Sequence, residues 1–216
     1  MTRRTKDNDV SATPARPEIP CGCCGGSQRR TVLAGIAAGV AGWQALRWIP
    51  VQAQEAEDDD PRNLPPQPGD RFTYFYGDKE GEIVKVEDVP FGKDQVLVYP
   101  IDPKTGVVRD GSRFSMLLLI RFEPDTLDEK TKANSADGVV AYTAICTHEG
   151  CPVSMWNAEK NTLFCSCHAS EYDPTTGATV MAGPAPRPLP MLPVTVENGE
   201  VVVSGEFTDR VGSQLG

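Results

Sequence analysis

Short stretches rich in β-branched and aromatic residues follow one another along the chain from about residue 70, and polar turn-forming residues separate them. Such stretches are typical of β-strands, because branched and aromatic side chains fit a pleated, half-buried surface. The segments predicted as strands are residues 71–76, 82–89, 95–101, 113–122 and 139–145. Turn chemistry lies between them at Gly92, residues 102–106 and residues 109–112.

Residues 193–205 predict a hairpin, because Asn198-Gly199 supplies the positive φ angles of a type I′ turn. Residues 124–137 could hold a short helix, but their composition is more typical of an irregular loop between strands. The 20 glycines and 19 prolines of the 216-residue chain favour many short elements joined by turns. With no internal repeat and no glycine-rich phosphate loop, the fold class is predicted as mainly β, a sandwich or small barrels.

A different pattern precedes this part, where residues 27–46 join paired Arg29 and Arg30 to an apolar run rich in Ala and Gly. This resembles a twin-arginine export signal, which carries folded, cofactor-loaded proteins across a bacterial membrane. Residues 51–53 supply small side chains for a cleavage site. The alternative is a retained anchor over residues 31–49, which would tie a periplasmic protein to the inner membrane.

Charge divides the chain in the same place. Residues 1–53 carry seven Lys and Arg against three Asp and Glu, so with a total of −9 the remainder carries about −13. An acidic body argues against nucleic acid as a partner. Residues 54–69 are acidic and rich in proline and are predicted as a linker, with the folded domain at 70–216. Three cysteines in the basic tail have no evident partner: Cys21, Cys23 and Cys24.

Two short segments concentrate the chain's soft and nitrogen ligands. "CTHEGC" contains Cys146 and His148, and "CSCH" contains Cys165 and His168, which are the only two histidines of the chain. The first segment follows the predicted strand at 139–145, and the second follows a short strand candidate at 162–164. Each segment offers one thiolate and one imidazole. Two cysteines and two histidines suit either zinc or a [2Fe–2S] cluster.

Two further cysteines, Cys151 and Cys167, lie in the same segments. Zinc needs only four ligands, so a simple zinc site leaves this pair unexplained. Export leads to an oxidising compartment, where a spare pair of neighbouring cysteines forms a disulfide. The pair therefore favours the cluster over zinc, and a zinc-binding structural module remains the alternative.

The pattern "CTHEGC … CSCHASEYDPTTG … GPAPRPLP" resembles the Rieske iron–sulfur family in its high-potential, disulfide-containing branch. The resemblance implies that Cys146 and Cys165 bind the inner iron of a [2Fe–2S] cluster. His148 and His168 would then bind the outer iron. It also implies stacked antiparallel sheets with a small cluster-binding subdomain at about 143–190.

The same resemblance implies roles around the cluster. Residues 183–190 match the family's proline loop, in which Gly183, Pro184 and Pro186 would cover the cluster. Ser170 and Tyr172 match the hydroxyl donors to a bridging sulfide and to a cysteine sulfur, which raise the potential. The disulfide that joins the two ligand loops in this family would link Cys151 to Cys167.

Two residues depart from the family pattern. Ala169 replaces a glycine that often follows the second histidine, so we expect slight crowding there. Glu149 stands where quinol-oxidising members usually carry leucine, which favours a hydrated protein partner over a quinol pocket.

The function expected is one-electron transfer, with no substrate site of its own, to a redox partner such as a cytochrome c or the catalytic subunit of an oxidoreductase. One hypothesis is the small subunit of a periplasmic enzyme resembling arsenite oxidase. The alternative is the mobile-headed subunit of a quinol–cytochrome c oxidoreductase.

Overall fold

The computed structural model describes residues 60–213. The predicted export signal or anchor, Cys21, Cys23, Cys24 and the first part of the predicted linker lie outside the described residues. Ten strands and one short α-helix make up most of the regular structure of residues 60–213. In chain order they are β1 (Arg71–Tyr74), β2 (Val96–Ile101), β3 (Leu117–Arg121), α1 (Glu129–Ala133), β4 (Val139–Thr143), β5 (Met155–Asn157), β6 (Thr162–Cys165), β7 (Ser170–Asp173), β8 (Thr179–Ala182), β9 (Val194–Glu197) and β10 (Glu200–Val203).

The strands form two sheets, and every neighbouring pair in them is antiparallel. The larger sheet has six strands in the order β4-β3-β2-β1-β10-β9, and the smaller has four in the order β5-β6-β7-β8. The smaller sheet is one continuous stretch of chain inserted between β4 and β9. The mainly β prediction is confirmed.

The centre of the larger sheet is buried on both faces, which explains the continuous apolar sequence of β3. On one face, Leu118 and Tyr142 pack with Leu163 and Tyr172 of the smaller sheet. On the other face lies a second core whose members include Phe72, Val98, Leu117, Leu119, Val139, Val201 and Val203. The smaller sheet is therefore seated on a rigid base, and its loops project from that base.

The predicted strand at 82–89 is wrong. The chain there makes only isolated bridges, Thr73 to Ile83 and Lys85 to Glu200, and then a 3₁₀ turn at Val86–Asp88. Val84 is nonetheless fully buried. The apolar residues pack into the second core from an irregular segment, so burial rather than strand pairing produced the sequence pattern.

The hairpin prediction is confirmed, since β9 and β10 pair directly and the turn residues Asn198 and Gly199 have φ of 54° and 80°. Residues 124–137 hold a 3₁₀ turn at Pro124–Thr126 followed by α1. Asp128 caps that helix by accepting a hydrogen bond from the Thr131 amide at 2.7 Å. Strands β5, β7 and β8 were not among the predicted elements, because they are only three or four residues long and β7 is also largely polar.

Part of the predicted linker, residues 60–69, lies against the sheet. Arg62 contacts Asp110 at 2.7 Å, and its carbonyl accepts a hydrogen bond from the Gly111 amide. The buried guanidinium of Arg109 donates to both carboxylate oxygens of Asp70 at 2.6 and 2.9 Å. The first strand is thus preceded by chain that is already part of the folded unit.

Candidate metal centre

The first ligand loop follows β4 and closes on itself. The amide of Cys146 donates to the carbonyl of Cys151 at 2.8 Å, and the amide of Gly150 donates to the carbonyl of Cys146 at 3.0 Å. Gly150 has a φ of 74°, which glycine adopts without strain. This tight closure presents Cys146 inward and His148 outward.

The second ligand loop connects β6 to β7. Cys165 ends β6 and is directly opposite Ser170, the first residue of β7, so the loop between them is only four residues long. Ala169 in this loop has a φ of 56°, in the left-handed region that favours glycine. The expected crowding at Ala169 therefore takes the form of backbone strain.

The structure brings the four predicted ligands together in two layers. Cys146 and Cys165 are 1% exposed, whereas His148 is half-buried and His168 is exposed, and the Nδ1 atoms of the two histidines lie 3.3 Å apart. The ring centres are 4.7 Å apart in an edge-to-face arrangement. Two buried thiols and two imidazoles nearer the surface fit a cluster with one inner and one outer iron.

The predicted disulfide between Cys151 and Cys167 is present and joins the two ligand loops. Within residues 60–213 it leaves Cys146 and Cys165 as the free thiols. The sulfur atoms of Cys151, Cys165 and Cys167 lie close enough to suggest a metal site. Two of those sulfurs belong to the disulfide, however, so that group cannot supply three thiolates.

Burial changes the acid–base behaviour of the site. It raises the pKa of the Cys165 thiol, and the neighbouring Cys146 thiol raises it further. The cluster-free protein therefore holds the Cys165 proton more tightly than an exposed thiol would. Binding a metal through its sulfur must release that proton, so assembly of the site is favoured by higher pH.

Tyr172 is fully buried in β7, and its hydroxyl lies 3.1 Å from the sulfur of Cys146. Burial raises the pKa of Tyr172 well above its usual value, and the Cys146 sulfur adds to the effect. The hydroxyl consequently keeps its proton. If Cys146 bound iron as a thiolate, its sulfur could only accept a hydrogen bond, and Tyr172 would be the donor.

Ser170 faces the proline loop. Its hydroxyl oxygen accepts a hydrogen bond from the Ala185 amide at 3.2 Å, which leaves its own proton available for a sulfide. A side chain at Gly183 would collide with this region, since its Cβ would lie 2.5 Å from the Ser170 Cα. The proline loop, residues 183–190, can approach β7 only because residue 183 is glycine. Pro184 and Pro186 are exposed on this loop.

Glu149 lies across from the second loop. Its carboxylate is 3.7 Å from Nε2 of His168, and the two side chains are 54% and 45% exposed. The sequence places Glu149 beside His148, but the fold aims it at the other histidine. The outer surface of the site therefore carries an exposed carboxylate.

Two residues that the sequence interpretation missed complete the site. Thr147 is fully buried, and its hydroxyl donates to the carbonyl of Arg187 at 2.7 Å. Arg187 belongs to the proline loop. The only sequence signal was position: Thr147 lies between two ligands, and Arg187 is the one charged residue of "GPAPRPLP".

Sequence comparisons relate the chain to two curated proteins. The chain is 36% identical over 136 residues to a candidate respiratory nitrate reductase Rieske subunit from Haloferax mediterranei, covering 62% of this chain and 58% of that one. It is 41% identical over 98 residues to a cytochrome bc1 complex Rieske iron–sulfur subunit from Streptomyces lividans, covering 44% of this chain and 58% of that one. The chain thus spans about 58% of the length of either relative.

Among solved structures, a hyperthermophilic respiratory Complex III chain is similar at 25% identity, with a TM-score of 0.37 and coverage of 55% of this chain and 71% of that one. A plasma membrane Rieske protein from the cyanobacterium Synechocystis PCC 6803 is similar at 24% identity. Its TM-score is 0.36, with coverage of 56% of this chain and 95% of that one.

The sequence pattern of the Rieske [2Fe-2S] domain matches residues 80–193, which is more than half of the chain. That match decides between zinc and the cluster, which the ligand types alone left open. When bound, such a cluster accepts and releases one electron at a time. The chain therefore belongs to the Rieske [2Fe-2S] domain family and is an iron–sulfur electron-transfer protein.

Proposed function

We propose that the protein is the Rieske subunit of an exported respiratory oxidoreductase and that it exchanges electrons with a protein partner docked on its histidine surface. The observation that carries the proposal is the contact between Glu149 and His168. An exposed carboxylate beside one of the two outer ligands marks where a partner would approach.

The charge of that surface favours a hydrated partner over a quinol. Burying the Glu149 carboxylate in an apolar quinol pocket would remove it from water, and an unpaired buried charge costs several kcal/mol. A protein interface can keep water at its polar rim or supply a cation to the carboxylate. The first candidate is therefore the small subunit of an enzyme resembling arsenite oxidase, in which a Rieske subunit accompanies a molybdenum-containing catalytic subunit.

The second candidate is the iron–sulfur subunit of a quinol–cytochrome c oxidoreductase. The name of the Streptomyces relative supports it. In that assembly, chain before residue 60 would act as the hinge of a mobile head. Within residues 60–213 no helix has the length and apolar character needed to cross a membrane.

Isolation of the native complex separates the two candidates. The full chain with an affinity tag after Gly216 is expressed in its host, and the purified complex is assayed for molybdenum and for haem b. Molybdenum without haem b supports the first candidate. Haem b together with quinol–cytochrome c reductase activity supports the second, and a purified chain with neither contradicts both.

For localisation we propose export by the twin-arginine route, on the strength of Arg29 and Arg30 before the apolar segment. Replacing both arginines by lysine should leave the cluster-loaded precursor in the cytoplasm. Cell fractionation measures this, and sequencing the N-terminus of the exported protein shows whether cleavage follows Ala53 or an anchor is kept. Unimpaired export of the double variant would contradict the proposal.

A further inference from the structure

The last described segment of the chain, residues 207–213, passes behind the proline loop, and we call it the C-terminal strap. Its carbonyl groups hold Arg187. One guanidinium nitrogen of Arg187 donates to the carbonyls of Arg210 and Gly212 at 2.5 and 2.7 Å. Another donates to the carboxylate of Asp209 at 3.2 Å. The side chain of Arg187 is only 11% exposed, so water could not readily replace these bonds.

The backbone of the same residue reaches towards the cluster ligands. The carbonyl of Arg187 accepts the hydroxyl proton of Thr147 at 2.7 Å. The Thr147 oxygen in turn lies 3.4 Å from the hydroxyl of Tyr172, which is 3.1 Å from the sulfur of Cys146. A continuous polar path therefore runs from the strap through Arg187 to a cluster ligand.

The direction of the protons along this path matters. Thr147 has one hydroxyl proton, and the Arg187 carbonyl takes it, so Thr147 cannot also donate to Tyr172. A hydrogen bond between these two hydroxyls can then run only from Tyr172 to Thr147, and the Thr147 oxygen at 3.4 Å is a more distant acceptor than the Cys146 sulfur at 3.1 Å. The Arg187 carbonyl fixes the side-chain rotamer of Thr147 at this longer distance. If the carbonyl moved, the Thr147 oxygen could rotate closer to Tyr172 and accept its proton in place of the sulfur. The orientation of the sulfur donor thus depends on where Arg187 is held.

A second contact links the strap to the first ligand loop. A Cβ on Gly212 would lie 3.0 Å from the ring of Phe114, so strap and ring are closely packed. The guanidinium of Arg113 stacks over that ring at 5.1 Å and donates to the carbonyl of Gly150 at 3.2 Å. The strap therefore supports both the proline loop and the loop that carries Cys146.

From these contacts we infer that Arg187 is a positioning residue: clamped by the C-terminal strap, it fixes Thr147 so that the Tyr172 hydroxyl is directed at the Cys146 sulfur, and it thereby raises the reduction potential of the cluster. A hydrogen bond to a ligand sulfur stabilises the more negative, reduced state. The inference concerns the cluster itself and does not depend on which partner the protein serves.

The test compares midpoint potentials of cluster-loaded proteins by voltammetry. The two informative variants are Arg187→Gln and a truncation that removes residues 210–216, which deletes both carbonyl acceptors without changing the sequence of the proline loop. The control truncation removes only residues 214–216, beyond the described contacts. Arg187→Lys keeps the positive charge but has fewer hydrogen-bond donors, so its reduction potential should lie between those of Arg187→Gln and the wild type.

We expect Arg187→Gln and the longer truncation to lower the equilibrium constant for reduction threefold to tenfold, which is about 28–59 mV for one electron. The control truncation should match the wild type. Combining Arg187→Gln with Tyr172→Phe should lower the potential no further than Tyr172→Phe alone, because both act through one hydrogen bond.

Three outcomes would overturn the inference. One is a wild-type potential in both informative variants. Another is full additivity with Tyr172→Phe. The third is loss of the cluster from the longer truncation while its β-sheet circular dichroism stays intact, which would make the strap a support for assembly and not a positioning device. Electron paramagnetic resonance of the reduced proteins shows whether the cluster is present and whether its environment has changed.

Discussion

The Nδ1 atoms of His148 and His168 lie 3.3 Å apart, on loops that are separated in sequence by β5 and β6. Two nitrogens bound to one tetrahedral metal at about 2.0–2.1 Å are separated by about 3.3–3.4 Å. The two rings are therefore placed for a shared metal ion by the protein alone. The disulfide between Cys151 and Cys167 and the short turn before Ser170 hold the loops that present them.

Tyr172→Phe should lower the reduction potential while the cluster stays bound. The variant removes the donor to the Cys146 sulfur, and a hydrogen bond to a charged acceptor contributes about 1.5–3 kcal/mol. The full bond corresponds to about 60–130 mV for one electron, so a shift of tens of millivolts is expected. Tyr142→Phe is the matched control, because Tyr142 is equally buried but donates to the carbonyl of Pro174. Equal potentials for the two variants would contradict the role of Tyr172.

Replacing Cys151 and Cys167 by serine should leave iron bound at first but make the cluster fragile and its potential lower. The bond closes a separation of 16 residues, and a loop of that size corresponds to about 3 kcal/mol of stability. Iron release to a chelator over time measures the effect. Serine at Cys21, Cys23 and Cys24 is the control. An immediate loss of one type of iron signal would instead mean that the ligands are wrongly assigned.

Gly183→Ala tests the close approach of the proline loop. Its Cβ would lie 2.5 Å from the Ser170 Cα, whereas a Cβ at Gly199 would meet nothing within 4 Å. Both glycines have positive φ, 86° and 80°, so Gly199→Ala carries the same backbone strain without the collision. We expect about 1–2 kcal/mol of destabilisation at Gly199 and about 1–3 kcal/mol more at Gly183, with loss of the cluster there. Equal urea midpoints for both variants would show that the loop moves freely.

Rare residue types made the site predictable. The chain has two histidines, and their spacing to Cys146 and Cys165 predicted the candidate ligand loops before any fold was known. Contacts between distant segments could not be predicted in this way. The strap on Arg187 and the approach of Glu149 to His168 depend on how the loops fold over one another.

The strand predictions succeeded and failed for a related reason. β3 is buried on both faces and is apolar up to Arg121, so its sequence is readily recognised as a buried strand. Residues 82–89 show a similar composition because Val84 and Val86 are buried in a core, but the segment makes only isolated β-bridges and no strand. β7 carries Ser170 and Glu171, whose burial rests on polar contacts with Ala185 and Lys160. An apolar composition therefore indicates that a segment is buried. Whether the segment is also a β-strand depends on a neighbouring strand to pair with, which the local sequence does not show.

Ala169→Gly should stabilise the protein. Ala169 has a positive φ, and a non-glycine residue in the left-handed region costs about 1–2 kcal/mol of stability, which glycine would relieve. Glycine also makes the unfolded chain more flexible, and this lowers the stability by about 0.4–1 kcal/mol. The expected net gain is on the order of 0.5–1 kcal/mol in urea unfolding. Ala182→Gly, in strand β8, is the control and should destabilise. A loss of stability at position 169 would show that contacts of the Ala169 methyl group outweigh the strain.

Alkaline pH should destabilise the protein through its buried tyrosines. Burial raises the pKa of Tyr142 well above its usual value of about 10. Below that pH both the folded and the unfolded chain keep the proton, so this tyrosine has no effect on the pH dependence. Above it the unfolded chain ionises and the folded chain does not, so the free energy of unfolding falls as pH rises, by up to about 1.4 kcal/mol per pH unit for each such group.

Tyr142→Phe removes one of these ionisations and also the bond to the Pro174 carbonyl. The variant should therefore be less stable than the wild type at pH 8 by about 1 kcal/mol, and the difference should shrink at pH 10 and 11. Urea unfolding at the three pH values measures this. Parallel falls in stability for the variant and the wild type between pH 10 and 11 would show that Tyr142 ionises within the folded protein, against the effect of its burial.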